Sequence, residues 1–482
     1  MKKSIYLFLY FALILVVFNA DASNNKQAIY TIYDSDNTRE YQWKAGVASE
    51  VMTPEGPMWL GGYSSRDRPA EGVMQDLWVK ALALEDRHGK LAVLVTTDMV
   101  GMPKAMSDRI RKLLNAGFNL SKAQIILNSS HTHSGPVLTD ELNDYYAVKF
   151  GNDELETIRK YSKNLEAKIV SCVEKAIESL QPAYVFTGNG FTRFQVNRYN
   201  NVEADVSKLF ETNGPNDYAV PVLKVQDLSG KIMSIAFGYA CHATVVSGYL
   251  WSPDYPGYAR IELEKMFPGA TAIFFQGSGG DQNPLPRRTA SEALLAQRYG
   301  NELAAAVECV IKDSMVKQPS ELKTAYRDID LPLSEPPALS ELENISASST
   351  GYERIWAKRI LAEFKKTGSL MKSYPYPIQI WSVGSQLVFS LGGEIVIEYA
   401  QELKRMYGYD AFVMGYNNDV MAYIPSSKIL QKGGYEGASS LMYFNSLASG
   451  WDPGIEFTIL SEMGKLAQQI GITKIQSSII RK

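Results

Sequence analysis

Two residue types are nearly missing from this 482-residue chain: it has three cysteines and four histidines. Cys172, Cys241 and Cys309 stand far apart, which excludes a disulfide framework. Their odd number leaves at least one thiol unpaired, and their apolar surroundings predict buried free thiols. A run of one charge sign is also missing. Forty-nine basic side chains against fifty-two acidic ones leave a net charge of −3, so nothing in the chain is built to track phosphates and nucleic acid is excluded as a partner. Past the N-terminus no apolar run is long enough to span a bilayer, so the mature chain is read without a transmembrane segment. There is no low-complexity linker and no repeat, which leaves the length to one large domain.

The N-terminus carries an address. Met1-Lys2-Lys3 precedes an uncharged apolar stretch from Ile5 to Phe18, and Ala20-Asp21-Ala22 leads into polar residues. Basic start, short apolar core and A-x-A site predict a signal peptide over 1–22, cleaved after Ala22. The mature chain is then 23–482, exported to the periplasm, the outer surface or the medium. No cysteine lies at the cleavage point, so no lipid anchor is expected there.

Histidines are few, but three of them arrive at equivalent places. His131 and His133, in Asn128-Ser129-Ser130-His131-Thr132-His133-Ser134-Gly135-Pro136, follow the apolar run 124–127, and His242 follows another apolar run. In an extended backbone the i, i+2 pair faces one way, so both imidazoles reach one site at a strand end. Imidazole is the commonest metal ligand, and this placement predicts a metal site rather than unrelated loop histidines. The fourth, His88, sits in an exposed-looking turn.

Strand-like and helix-like patterns alternate. Leu91–Asp98 and Gln124–Ser130 predict strands flanking a helix from Pro103 to Ala116, closed by Gly117, which makes a β-α-β unit. A long helix is expected over 154–180 and a strand over 184–188. Val220–Asp227 and Ile232–Tyr239 form a hairpin, Thr271–Gln276 a strand and Ser291–Lys312 a helix. Residues 334–372 read as a polar insertion or crossing. A second hairpin spans 378–391, a strand 411–416 and a helix 456–470. The fold class is α/β in the mixed α+β sense, and polar residues keep arriving where strands end, the usual place for a site.

These residues carry a resemblance. His131-Thr132-His133-Ser134-Gly135-Pro136, Cys241-His242-Ala243-Thr244, Gly280-Asp281 with Asn283-Pro284, Gly393-Glu394, and Tyr416-Asn417-Asn418 through Tyr423-Ile424-Pro425 resemble, in order, the motifs of the neutral non-lysosomal ceramidase family. The segments at 45–48, 53–54 and 61–63 fit its opening. The resemblance implies two mixed sheets with flanking helices and one Zn2+ held by His131, His242, Glu394 and Tyr423. It also implies hydrolysis of an N-acyl amide, with a ceramide-like lipid as substrate. His133 would then handle protons or substrate, and Arg198 would face the substrate. The donor set suits zinc, which lowers the pKa of water to about 7 and polarises a carbonyl. Taken alone, Glu394 also reads as a helix N-terminal acid and Tyr423 as a core aromatic.

Two departures stand out. Where the family carries Gly-Asp-x-Ser-Pro-Asn, this chain has Gly280-Asp281-Gln282-Asn283-Pro284-Leu285. Asn283 cannot form an acyl-enzyme, and Ser278 lacks a nucleophile-elbow context. Direct hydrolysis by metal-activated water is therefore the expectation. Asn283 would donate to the oxyanion, His133 would protonate the leaving nitrogen, and Asp281 would stand beside them as a supporting carboxylate. The second departure is the end of the chain, where a helix and a short tail are expected instead of the family's immunoglobulin-like domain. Other readings are a secreted zinc-containing binding protein without catalysis, a hydrolase of a non-lipid N-acyl compound, and, least favoured, a binuclear β/α-barrel amidohydrolase. The 28 tyrosines and seven tryptophans suit a lipid tunnel, a sugar-binding cleft or plain packing equally.

Overall fold

Strands buried on both faces organise the molecule. In the computed structural model, which describes residues 42–141, 150–208, 211–444 and 447–475, the expected signal peptide over 1–22 lies outside the described residues. Strands β1 (Trp43–Val51), β2 (Trp78–Glu85), β3 (Leu91–Thr97), β4 (Ile125–Ser129), β5 (Gln181–Phe191), β7 (Ala219–Asp227), β8 (Ile232–Tyr239) and β9 (Thr271–Gln276) form the main sheet. Their order is β9-β8-β7-β5-β1-β2-β3-β4, and a two-residue strand at Val316–Lys317 adds to β5. The short strand β6 (Gln195–Asn197) pairs outside this sheet with β10 (Gln282–Pro284). The β3/β4 and β8/β9 pairs are parallel and the others antiparallel, so the sheet is mixed.

A second sheet, in the order β11 (Leu322–Pro332), β12 (Ser373–Val383), β13 (Gln386–Leu391) and β15 (Phe412–Met414), is also mixed. It packs face to face on the first. Leu82, Leu84, Leu94 and Ile126 of the main sheet meet Trp381, Val383, Val388 and Phe412 of the second in one buried cluster. Alternate residues of β2, namely Val79, Ala81 and Ala83, face the other way, into a cluster with helices α1 (Lys104–Phe118) and α2 (Asn152–Glu178). That alternation is the period-2 pleat with both faces covered. Helices α3 (Tyr255–Met266) and α4 (Glu292–Lys312) cover the rest of that face. Helices α7 (Ile397–Tyr407) and α8 (Ile455–Gln469) cover the outer face of the second sheet. The result is four layers, helix, sheet, sheet, helix, in one domain, as the mixed α/β expectation with two sheets required.

Several local expectations need correction. Pro103 is the residue before α1 rather than its first turn, and the helix runs through Gly117 to Phe118, where Asn119 takes the left-handed conformation (φ 54) and closes it. Glycine is not needed there because Asn tolerates that region. The polar stretch 334–372 is not an irregular crossing. It holds a pair of packed helices, α5 (Leu339–Ser348) and α6 (Gly351–Thr367), whose small apolar faces meet at Leu342, Ala357 and Ile360. Cys172 and Cys241 are buried, but Cys309 is exposed, because its position on α4 faces away from the sheet.

The ends of β4, β9 and β15 are laced together by buried amides. Asn128 Nδ2 donates to the Gly415 carbonyl (2.9 Å) and to Asn417 Oδ1 (2.9 Å), while Asn128 Oδ1 accepts from the Gln276 backbone N–H (2.9 Å). Asn418 Oδ1 accepts from Leu127 N and its Nδ2 donates to Gln379 Oε1. Paired amides of this kind are tolerated in a core because every donor meets an acceptor. They fix three strand ends from two sheets at one place.

Candidate metal centre and active-site cleft

At that place the predicted ligands converge. His131 lies two residues past β4 and His242 three past β8. Glu394 opens β14 (Glu394–Ile395) and Tyr423 opens β16 (Tyr423–Ile424); these two short strands pair in parallel with Glu394 and Tyr423 as direct partners. A bridge between Thr132 and Ala243 and a hydrogen bond from His133 N to the Ala243 carbonyl set the two histidine segments side by side. The mechanism differs from the expected one. The strand has ended before His131, whose φ is 59°, so a left-handed backbone residue rather than a pleat turns the imidazole inward. Such a conformation in a non-glycine residue costs of order 1–3 kcal/mol, and strain of this kind clusters at functional sites.

Glu394 Oε2 is 3.2 Å from His131 Nε2 and 3.2 Å from His242 Nε2, and Tyr423 Oη is 3.4 Å from His242 Nε2. Ligands about 2.0–2.1 Å from a common tetrahedral zinc are about 3.3 Å from one another, so the spacing fits that ion. The histidines are also oriented as ligands are. His131 Nδ1 contacts the Val100 carbonyl at 2.6 Å and His242 Nδ1 the Gly279 carbonyl at 2.6 Å, which fixes the Nδ1–H tautomer and leaves each Nε2 lone pair for a metal. His133 is different. Its Nε2 is 3.1 Å from His131 Nε2, yet its buried Nδ1 has no partner. His131, His133 and His242 together form a cluster able to hold a metal, with donor atoms within 4.8 Å of one another.

Charge follows the same pattern. Burial alone would raise the Glu394 carboxyl, but His131 and His242 outweigh it and hold it well below the usual range. Burial, then Arg198, pushes His242 down to about 3, so it is a neutral donor. Burial raises the Tyr423 phenol well above its ordinary value, and the adjacent Arg198 pulls in the opposite direction, towards a phenolate.

Arg198 is the hub of the cleft side. Its Nη2 donates to Tyr423 Oη (2.8 Å) and to the Gly280 carbonyl (2.9 Å), and its Nη1 to Asn283 Oδ1 (3.4 Å). Because a guanidinium has no acceptor, it must face the amide oxygen of Asn283, which leaves the NH2 end for the cleft. Asp281 does not reach the cleft. Its carboxylate accepts from Ile397 N (2.9 Å) and Asn197 Nδ2 (2.7 Å), tying β10 to α7, so it positions the site and has no free oxygen aimed at a substrate.

Two contributors escaped the sequence reading. Tyr416 donates to Glu394 Oε2 at 3.3 Å, and the buried Glu436 accepts from Arg198 Nε at 2.7 Å. Glu436 sits in a single-turn helix between glycines, with no periodicity to mark it. Glu436→Ala would leave the Arg198 charge unpaired and lower stability by about 3–5 kcal/mol, whereas Glu436→Gln keeps an acceptor and loses less. Thermal and denaturant unfolding of the two variants checks this ranking; equal stability of Glu436→Ala and the parent refutes it.

Residues 43–291 match the family described as neutral/alkaline non-lysosomal ceramidase, N-terminal. The chain belongs to this family. Neutral ceramidase B of Dictyostelium discoideum is 27% identical over 271 residues, covering 52% of this chain and 37% of that protein. Neutral ceramidase A of the same organism is 26% identical over 306 residues (60% and 42%), and the neutral ceramidase of Pseudomonas aeruginosa is 26% identical over 259 residues (50% and 37%). Each match thus spans only about two fifths of the relative's length. The crystal structure of the Pseudomonas aeruginosa neutral ceramidase superposes with a TM-score of 0.68 at 20% identity, over 92% of this chain and 77% of that one, and a ceramidase complexed with C2 gives the same TM-score at 19% identity. The four-layer fold is therefore the ceramidase fold.

Proposed function

We propose that the protein is a zinc-dependent hydrolase of an N-acyl amide, the bond that its ceramidase relatives are named for. The observation that carries this reading is the meeting of His131, His242, Glu394 and Tyr423 donor atoms at 3.2–3.4 Å spacings, with His131, Glu394 and Tyr423 on the wall of an open cleft of about 1050 Å3. A bound zinc supplies Lewis acidity and brings the pKa of water to about 7. The chain's own residues do the rest. Asn283 presents its NH2 where an oxyanion develops. His133 is held neutral, because burial and then His131 and His242 push its pKa well below the ordinary value, so it can take a proton from the attacking water and pass that same proton to the leaving nitrogen. Arg198 braces both Tyr423 and Asn283. A purely structural metal clamp would need neither His133 nor Asn283 facing a cleft.

The test is release of free amine from N-acyl substrates, ceramide first, with and without chelator. Activity lost on chelation and restored by zinc is the expected result; activity indifferent to chelator would refute metal dependence. Among the described residues no helix is long and apolar enough to cross a membrane. Export is part of the proposal, resting on residues 1–22. Protein recovered from its native host is expected to begin at Ser23, and sequencing that finds Met1 intact would refute this.

A further inference from the structure

The walls of the cleft are unlike a lipid tunnel. Among the described residues that line it there is no leucine, isoleucine or methionine, and the aliphatic side chains are three valines, Pro103 and Ala105, whereas six tyrosines and ten acidic or basic side chains face it. The tyrosines are ordered. From Tyr423 at the metal centre, ring contacts run to Tyr435 (5.5 Å between centroids), on to Tyr443 (6.1 Å), and from there to Tyr352 (4.6 Å), so a series of rings joins the buried reacting centre to the exposed Tyr435 and Tyr443. Elsewhere on the lining the surface is ionic. Arg287 and Arg288 pair with Glu203 at 2.8 and 3.5 Å, and Tyr63 lies between the Arg288 guanidinium and the His133 ring.

An alkyl chain laid along this surface would strip water from charged groups and offer no hydrogen bond in return, which is costly. A sugar does the reverse. Its C–H faces pack on aromatic rings, while its hydroxyls both donate to carboxylates and accept from guanidinium groups, replacing the water they displace. From this composition and order we infer that the cleft is a saccharide-binding track, and that the amide cleaved bears a sugar on its amine side. The sugar chemistry is shared by a glycosylated ceramide and by an N-acylated amino-sugar chain. The inference deepens the amidase reading and rests on it for the cleavage step, but not for binding.

The experiment has two arms on the full chain. In the first, triacetylchitotriose and lactose are titrated against the protein by calorimetry or saturation-transfer NMR. Saturable binding of at least one, with Kd of about 1 mM or tighter, is expected, weakened about tenfold by Tyr443→Ala. Arg288→Ala, at the exposed lip, repeats the test on the ionic surface should the tyrosine variant fail to fold. In the second, lactosylceramide, triacetylchitotriose and a ceramide with the acyl chain of the lactosylceramide are compared as substrates, and a glycosylated amide is expected to be cleaved at least about tenfold faster than plain ceramide. Which of the two is cleaved identifies the source of the sugar. Absence of saturable binding by either saccharide, or plain ceramide cleaved as fast as both glycosylated amides, overturns the track. Saccharide binding without hydrolysis of any amide keeps the track and refutes the amidase reading.

Discussion

Purified His242→Ala and His131→Ala proteins are expected to hold less than about a tenth of the parent's zinc, measured as metal per chain after dialysis, while His133→Ala keeps most of it. Loss of a coordinating side chain should exceed the 10–100-fold in affinity typical of removing an outer hydrogen-bond partner. The distinction rests on Nδ1: carbonyls pin it in His131 and His242, and nothing pins it in His133. The three histidines are close enough to hold an ion without Glu394 and Tyr423. In that case His133→Ala would empty the site and Tyr423→Phe would not, the opposite pattern. Two metals per chain, or full retention in His242→Ala, would refute the four-ligand assignment.

Asn283→Ala is expected to lower turnover by about 10²–10³ with zinc content unchanged, the usual worth of one oxyanion donor. The side chain is buried at the wall of the cleft with its oxygen turned to Arg198, so its NH2 is the end that meets a substrate. Ser278 does not replace the family serine. Ser278, the nearest serine in sequence, is buried with an unpartnered hydroxyl and is absent from the residues lining the cleft. Quenched turnover mixtures should therefore contain no acylated residue. A trapped acyl-enzyme in mass spectra, or Asn283→Ala turning over at the parent rate, would refute direct hydrolysis with Asn283 as donor.

Part of this site was legible in the residues. The histidines stood out because they are rare and follow apolar runs, and a strand end in an α/β sheet opens into a crevice wherever the sheet is covered on both faces. Glu394 and Tyr423 were legible only through the family motifs, since a carboxylate after two glycines and a tyrosine before Ile-Pro each have commoner explanations. Glu436 and Tyr416 were not legible as site residues. Their roles depend on a guanidinium and a carboxylate brought in from more than 20 residues away, and no local period records such a contact. Asp281 was legible as a supporting carboxylate but not as one with both oxygens taken by backbone and amide donors.

By itself the sequence determined the elements that local pattern dictates: the β-α-β unit around 91–129, both hairpins, the long helices, and histidines at two strand ends. Those features depend on side-chain period and turn chemistry over a few residues. Only the tertiary structure decided that two sheets stack through Leu94, Ile126, Trp381 and Phe412, that buried amides of Asn128, Asn417 and Asn418 gather three strand ends, and that His131 enters the site from a left-handed turn. Packing of distant segments selects these arrangements, because each satisfies buried polar groups or covers apolar faces that no short stretch of chain can satisfy or cover alone.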